Sequence, residues 1–293
     1  METTVGMIGL GNAGLALASA ILRSFTLVGF DRNPVRCGLA DRAGVEVVSS
    51  PQAVAARCEI LILSLPRPDV SRSLPSTIAP SALQGHVVVE TSTVAPDDID
   101  RLVEMVAPAG GTVVDAAIVG GVAKLTKGET TFLVGASEPD FARVKPVLKA
   151  AAETIFHLGK VGNGMRAKVV NNAVAHSVMV VLIEAAALAA AQGVPMDVFY
   201  ELMEGEAGLL RPLTHRFGER IRQHDFEGGM STANARKDSA LAIAMAQELG
   251  VPLFAIPAAP TVYEIGMREG LERKDYAALA TLWEKWTGES FAK

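Results

Sequence analysis

The stretch from Gly162 to Gly193, GNGMRAKVVNNAVAHSVMVVLIEAAALAAAQG, is rich in Ala, Val, Leu and Met and holds no proline. A helix of that length would be roughly 45 Å long. That exceeds the average globular helix, so the stretch is expected to link two parts of the molecule. Nearly every face of it is apolar, which predicts burial on most sides. Its few polar residues therefore need a reason. Lys168 and Asn172 are four apart and share a face, Asn171 flanks them, and His176 lies one turn further on. A lysine on such a helix is costly to bury unless it is paired or used. It either snorkels to water from the helix start or acts as a general acid/base beside a cofactor.

What precedes this stretch decides between those readings. Residues 4–8 read as an apolar strand running into Gly9-Leu10-Gly11-Asn12-Ala13-Gly14 and then a helix. A second strand over 26–30 ends at Asp31, 22 positions beyond Gly9. A glycine-rich turn alone is a weak signal. Placed between strand and helix, with an acid at the end of the next strand, it is a dinucleotide-binding fingerprint. Gly9 permits the tight turn, Gly11 lets the pyrophosphate approach the helix N-terminus, and Gly14 packs the helix on the sheet. Asp31 suits the ribose hydroxyls of NAD. Arg32 follows at once and can instead meet the 2′-phosphate of NADP.

The alternation continues. Helices are expected over 34–43, 51–57 and 138–151, and strands over 60–65, 87–90, 112–115, 130–134 and 154–158. ILILSL is a continuous apolar run of the kind buried in a parallel sheet. It ends at Pro66-Arg67-Pro68, and the strand over 87–90 ends at Thr91-Ser92-Thr93. Strand C-termini are where ligands of open α/β sheets bind. The three hydroxyls either face such a ligand or cap the helix that begins near Pro96. Gly120-Gly121 offers backbone N–H groups to a carboxylate, or makes a plain turn. After Gly162 no strand is evident; helices are expected over 195–204, 209–223, 231–249, 252–270 and 276–286. The fold class is α/β: a Rossmann-type doubly wound domain over 1–161 and an all-helical domain over 162–293, joined by the long helix.

Composition closes off other classes. With 49% hydrophobic and 20% charged residues the chain of 293 buries a large core. A net charge of −5 gives no footprint for nucleic acid. The two cysteines, Cys37 and Cys58, fit a reducing compartment, and no metal-ligand spacing surrounds them. The N-terminal METTVGMIGLG lacks a basic segment of the secretory kind. The apolar run over 178–191 is interrupted by Glu184 and reads as too short for a bilayer. The expectation is a cytoplasmic protein without a membrane span or a metal.

These residues resemble the β-hydroxyacid dehydrogenases, a family that includes 3-hydroxyisobutyrate dehydrogenase, tartronate semialdehyde reductase and relatives of 6-phosphogluconate dehydrogenase. GLGNAG, TSTVAP, DAAIVGG, GNGMRAKVVNN and ARKDSALA stand in the family's order and spacing, and the resemblance covers essentially the whole chain. It implies a catalytic Lys168 with Asn172 orienting the substrate. It also implies Leu65, Pro66 and Thr93 along the cofactor, and Gly120 and Gly121 at the substrate carboxylate. Lys237, otherwise a surface lysine, would reach toward the cofactor. There are departures: Val119 replaces the family's serine, Ala117 its proline, and Met230 an aromatic residue. Val119 donates no hydroxyl hydrogen bond, so one carboxylate contact is missing or supplied elsewhere. His176 either adds polar recognition or is a core histidine.

The implied activity is NAD(P)-dependent oxidation, with NAD preferred, of a small β-hydroxyacid resembling 3-hydroxyisobutyrate, serine, threonine or threonate. Reduction of a glyoxylate, succinate or tartronate semialdehyde is the alternative. A silent nucleotide sensor or scaffold would be expected to lack Lys168. The large apolar helical surface predicts a homodimer or homotetramer.

Overall fold

The computed structural model describes residues 4–205 and 209–292. Residues 1–3 of the N-terminal stretch lie outside them. The chain divides into two compact units, residues 1–173 and 174–293.

The first unit is a βα alternation. Its strands are β1 (Thr4–Ile8), β2 (Thr26–Phe30), β3 (Glu46–Val47), β4 (Ile60–Leu63), β5 (Val87–Glu90), β6 (Thr112–Val119), β7 (Thr130–Gly135) and β8 (Ala152–His157). Its helices are α1 (Asn12–Ile21), α2 (Pro34–Arg42), α3 (Pro51–Ala55), α4 (Pro68–Ser73), α5 (Pro96–Val106), α6 (Val122–Lys127) and α7 (Glu138–Lys149). They form one sheet of order β3-β2-β1-β4-β5-β6-β7-β8. All pairings are parallel except β6 with β7. Strands ILIL and VVVE are wholly buried because helices cover both faces. One apolar cluster joins Met7, Leu17, Ile62, Val89, Phe132 and Leu148. The other, on the opposite face, joins Ile8, Leu63, Val88, Ile99, Val113 and Met165.

The order of the chain reverses between β1 and β4, the switch point at which an open sheet leaves a crevice at its strand ends. Gly9 makes the turn out of β1 at φ 94°, and a Cβ there would stand 2.1 Å from the Ser64 carbonyl oxygen. A Cβ on Gly14 would stand 2.0 Å from the Gly9 carbonyl oxygen. Both positions are held to glycine by close backbone packing.

The structure extends and adds to the expected elements. β6 runs on to Val119 because β7 pairs with residues 115–119 in antiparallel register. β3, only two residues long, and the short helices α4 and α6 carry no hydrophobic period long enough to read in sequence.

Helix α8 (Asn163–Ala191) begins in the first unit and continues into the second. The second unit contains α9 (Met196–Glu204), a π-helical segment (Pro212–Ile221), α10 (Thr232–Leu249), α11 (Ala258–Arg268) and α12 (Ala280–Thr287). Helix α11 meets Leu279 closely: a Cβ on Gly266 would stand 2.3 Å from the Leu279 Cδ2. Buried Asp275 accepts hydrogen bonds from the N–H groups of Met230 and Ala277, and Arg216 and Arg220 bring their Nε atoms to 3.3 and 3.6 Å from its carboxylate.

Two expectations for α8 change. The helix is 29 residues long and, by length and composition alone, apolar enough to cross a membrane. It is also exposed over most of its length, with Val170 at 65% and Ile183 at 57%. The first unit buries it only near Gly164 and Met165, and further on only Glu184 and Leu188 are buried. Glu184 nonetheless ties this helix to protein: its carboxylate accepts the N–H groups of Phe254, Ala255 and Ile256. Those bonds hold its pKa below the usual carboxylate range.

Candidate active site

A cavity of about 640 Å³ opens at the switch point. Gly9, Gly11, Asn12, Ala13, Gly14, Asp31, Arg32, Leu65 and Pro66 all line it, so nine expected cofactor residues meet in one place. A Cβ on Gly11 would meet nothing within 4 Å, which leaves the α1 N-terminus open to an incoming anion. Leu10 is buried and contributes its backbone: its N–H donates to Asp31 Oδ2 at 2.7 Å. Asn33 N–H donates to Oδ1 at 2.8 Å. The Asp31 carboxylate is thus aimed by the loop it faces. Asn33 also caps α2 by accepting the Val35 N–H at 2.9 Å.

Several lining residues escaped the sequence reading. Arg36 enters from one turn into α2, and Val70, Ser73, Leu74 and Thr77 line the cavity from α4 and the turn that follows it. α4 carries too few residues to show a period. Arg36 lies in the first turn of α2 and Arg32 just before its N-cap Asn33, and both line the cavity.

The hydroxyls after β5 do not cap α5. Ala95 holds the cap position, and Asp98 accepts the Ala95 N–H at 3.1 Å. Instead Thr91 donates to the Leu63 carbonyl at 2.6 Å and the Ser92 hydroxyl accepts the Leu65 N–H at 2.7 Å. Thr93 is exposed on this same loop. The loops after β4 and β5 are therefore stitched together.

Two buried acids underlie these loops, and neither was singled out from sequence. Glu90 ends β5 with no exposed surface; its Oε1 accepts the Ser92 N–H at 2.7 Å. Burial pushes its carboxyl up to about 7. Asp115, its neighbour on β6, accepts the N–H groups of Gly162 at 2.6 Å and Met165 at 2.7 Å. Burial raises its pKa against the pull of those two donors. Asp115 thereby caps the start of α8 from the strand that ends at Val119. A visible signal was present in both cases: an acid directly after a pair of valines in a strand, Glu90 at the end of β5 and Asp115 midway along β6.

Lys168 lies three residues after Met165 on α8, half-buried, with Asn172 four residues beyond it, also half-buried. Lys168 has no hydrogen-bond or ion-pair partner among the described residues, and partial burial lowers its pKa. Val119 closes β6, and its carbonyl accepts the Thr130 hydroxyl at 3.0 Å. Gly120 (φ 138°) and Gly121 then turn the chain into α6, whose N-cap has no side-chain partner. Lys168, Asn172, Val119, Gly120 and Gly121 thus belong to the same unit as the cavity. His176 and Lys237 belong to the second unit. His176 is exposed, and the exposed Lys237 ammonium pairs with Asp238 at 3.2 Å. Among the described residues no group of three His, Cys, Asp or Glu side chains is arranged to hold a metal ion.

Comparison with known proteins agrees with this geometry. Residues 4–159 match the NAD-binding domain family of 6-phosphogluconate dehydrogenase, and residues 162–283 match the NAD-binding family of NADP-dependent 3-hydroxyisobutyrate dehydrogenase. The chain is 30% identical to 2-(hydroxymethyl)glutarate dehydrogenase of Eubacterium barkeri, covering 98% of this chain and 96% of that protein. It is 29% identical to the mitochondrial 3-hydroxyisobutyrate dehydrogenase of Drosophila melanogaster, covering 96% and 89%. Among solved structures it resembles 3-hydroxyisobutyrate dehydrogenase of Mycobacterium tuberculosis with L-serine at 26% identity, with a TM-score of 0.65 and coverage of 96% and 99%. The fold alone is shared with an imine reductase from Pseudomonas sp., with a TM-score of 0.87 at 21% identity and coverage of 96% and 99%. The chain belongs to the β-hydroxyacid dehydrogenase family and is an NAD(P)-dependent hydroxyacid dehydrogenase.

Proposed function

We propose that this enzyme oxidises the primary alcohol of a small acid of the form HOCH2–CH(R)–COO⁻, with NAD preferred and Lys168 as the general acid/base. The observation that carries the reading is the lysine itself. It is unpaired among the described residues, has a lowered pKa, and sits one turn beyond the Asp115 cap that joins α8 to the Gly120-Gly121 strand. 3-Hydroxyisobutyrate, 2-(hydroxymethyl)glutarate and L-serine, named with the similar proteins above, all contain the HOCH2–CH–COO⁻ unit and differ in R.

The residues present fit a dinucleotide, since the Gly11 face of the cavity is open where a pyrophosphate needs backbone approach. NAD(P), when bound, supplies hydride acceptance. Asp31 would take the ribose hydroxyls, with Arg32 at its side, and Leu65, Pro66 and Thr93 would border the cofactor. Neutral Lys168 takes the hydroxyl proton during oxidation and returns it during reduction. Asn172 orients the hydroxyl, and the Gly120 and Gly121 N–H groups meet the carboxylate. With Val119 in the serine's place, one hydroxyl contact to that carboxylate is absent. Semialdehyde reduction uses the same groups in reverse; Asp31, suited to NAD, favours oxidation.

The exposed apolar side of α8 supports a homodimer or homotetramer in which another copy covers it. A reduced Cys37 and Cys58 support a cytoplasmic location. The test is cofactor reduction with 3-hydroxyisobutyrate, 2-(hydroxymethyl)glutarate, L-serine and threonate, with NAD and NADP in parallel and Lys168→Ala alongside. Lysine-dependent turnover of at least one primary alcohol is expected. Activity confined to secondary alcohols, or independent of Lys168, overturns the proposal.

A further inference from the structure

Glu90 is buried in an unusual way. Its Oε1 holds the Ser92 N–H, but its Oε2 is sealed from solvent with no hydrogen-bond partner. The hydroxyl that faces it is that of Ser71, itself buried and without a hydrogen-bond partner. Ser71 lies on α4, between Val70 and Ser73, which both line the cofactor cavity. Ser92, on the other side, accepts the Leu65 N–H, and Leu65 lines the same cavity. A buried carboxyl with an open valence against a buried hydroxyl is costly unless the two meet.

We propose that Glu90 is a positioning residue for the cofactor, a buried strut that fastens residues 64–67, α4 and the loop over 91–93 to the end of β5, and that cofactor affinity follows its protonation. Protonated, the carboxyl donates to or accepts from Ser71 without burying a charge, and α4 stays docked as a wall of the cavity. Ionised, it is a fully buried charge that hydroxyl and N–H donors soften but no cation balances, and the unfavourable burial is relieved by parting α4 from the sheet. Since burial already pushes this carboxyl up to about 7, the change falls in the neutral range.

The charged groups on the neighbouring elements are otherwise engaged. Asp115 on β6 takes two backbone donors of the α8 start. Arg72 on α4 and Asp98 on α5 pair with each other at 2.8 Å. No lysine, arginine or histidine partner is hydrogen-bonded to Glu90 among the described residues, so its ionisation has no counter-charge to soften it.

The inference rests on the switch-point cavity being the cofactor site. The experiment is the dissociation constant of NADH and NADPH for the full chain, followed by cofactor fluorescence from about pH 5.5 to about pH 8.5. Wild type, Glu90→Gln and Ser71→Ala are compared. The wild type should weaken about fivefold or more on crossing neutrality, a coupling of ordinary size. Glu90→Gln keeps the acceptor for Ser92 and a donor for Ser71, so it should bind as tightly at high pH as the wild type does at low pH. Ser71→Ala removes a hydroxyl that favours the ionised form, so its midpoint should move up in pH. A flat wild-type profile, a Glu90→Gln profile that tracks the wild type, or an unmoved midpoint in Ser71→Ala overturns the proposal. Failure of the cofactor assignment has a different signature: neither cofactor binds at any pH.

Discussion

Glu90 and Asp115 stand at paired positions on the adjacent parallel strands β5 and β6, and neither exposes any surface. Side chains alternate along a strand, so each shares a face with the residue two positions back, Val88 and Val113, which belong to one apolar cluster. One sheet face therefore presents two acids side by side, Glu90 at the end of β5 and Asp115 midway along β6. Glu90 looks after the cofactor loops through Ser92. Asp115 looks after the helix that carries Lys168.

Removing the Asp115 carboxylate leaves two buried N–H groups, those of Gly162 and Met165, without acceptors. Each orphaned donor costs about 1–3 kcal/mol, so Asp115→Ala should destabilise the first unit by roughly 2–6 kcal/mol. Asp115→Asn retains one acceptor and should cost less. Because Lys168 follows Met165 by about one turn, turnover should fall more than cofactor affinity. Unfolding curves, NADH titration and kcat on the same preparations decide it. Equal losses of kcat and cofactor binding would count against a role in placing the lysine.

Glu90 gives a stability prediction independent of binding. Its carboxyl rises from 4.5 to about 7 on folding. A raised folded-state pKa means that the folded form holds the proton more tightly, so its contribution is fully present below about 4.5 and is lost as pH climbs through about 7. The difference is on the order of 3 kcal/mol at most. Glu90→Gln should lack this slope and be the more stable protein at about pH 8. Thermal unfolding at about pH 5 and about pH 8 measures it; a mutant that loses stability with pH as steeply as the wild type contradicts the burial argument.

The sheet was readable because its strands are short, apolar and separated by helices or turns, and because the Gly9–Gly14 turn has a fixed context. What escaped has a physical reason in each case. The end of β6 is strand only through its pairing with β7, a tertiary effect invisible to local pattern. The roles of Glu90 and Asp115 depend on which backbone donors arrive from 2 and 47 positions away. The length and apolar character of α8 were legible, but its exposure was not, since composition reports what wants covering and not what covers it. Lys168 stands out in the sequence as an anomaly on an apolar helix, and its lack of a hydrogen-bond or ion-pair partner among the described residues is the structural counterpart of that anomaly.

Asp31 sets a cofactor prediction. Its two oxygens are each fixed by one backbone donor, Leu10 and Asn33, which leaves further acceptor capacity facing the cavity. Arg32 and Arg36 line the same end. Asp31→Ala should weaken NAD about tenfold, the value of one charge-assisted hydrogen bond, while NADP gains relative to it because the two arginines lose their competing acid. Paired titrations of the two cofactors test this. An unchanged NAD-to-NADP ratio rules out Asp31 as the discriminating residue.

Lys168 carries the chemical prediction. Partial burial lowers its pKa, so the neutral amine needed to accept the alcohol proton is available at lower pH than for a free lysine. Oxidation should therefore rise with pH as the ammonium loses its proton, and reduction, which needs the ammonium, should fall over the same range. Lys168→Ala should reduce turnover by about 10²–10⁴-fold and flatten both limbs while leaving NADH binding nearly intact. Lys168→Arg restores the positive charge but not a titrating base, so it should bind cofactor and remain slow. Initial rates in both directions across pH, with cofactor titration of each variant, provide the measurement. A rising oxidation limb that survives in Lys168→Ala would assign the proton transfer to another group.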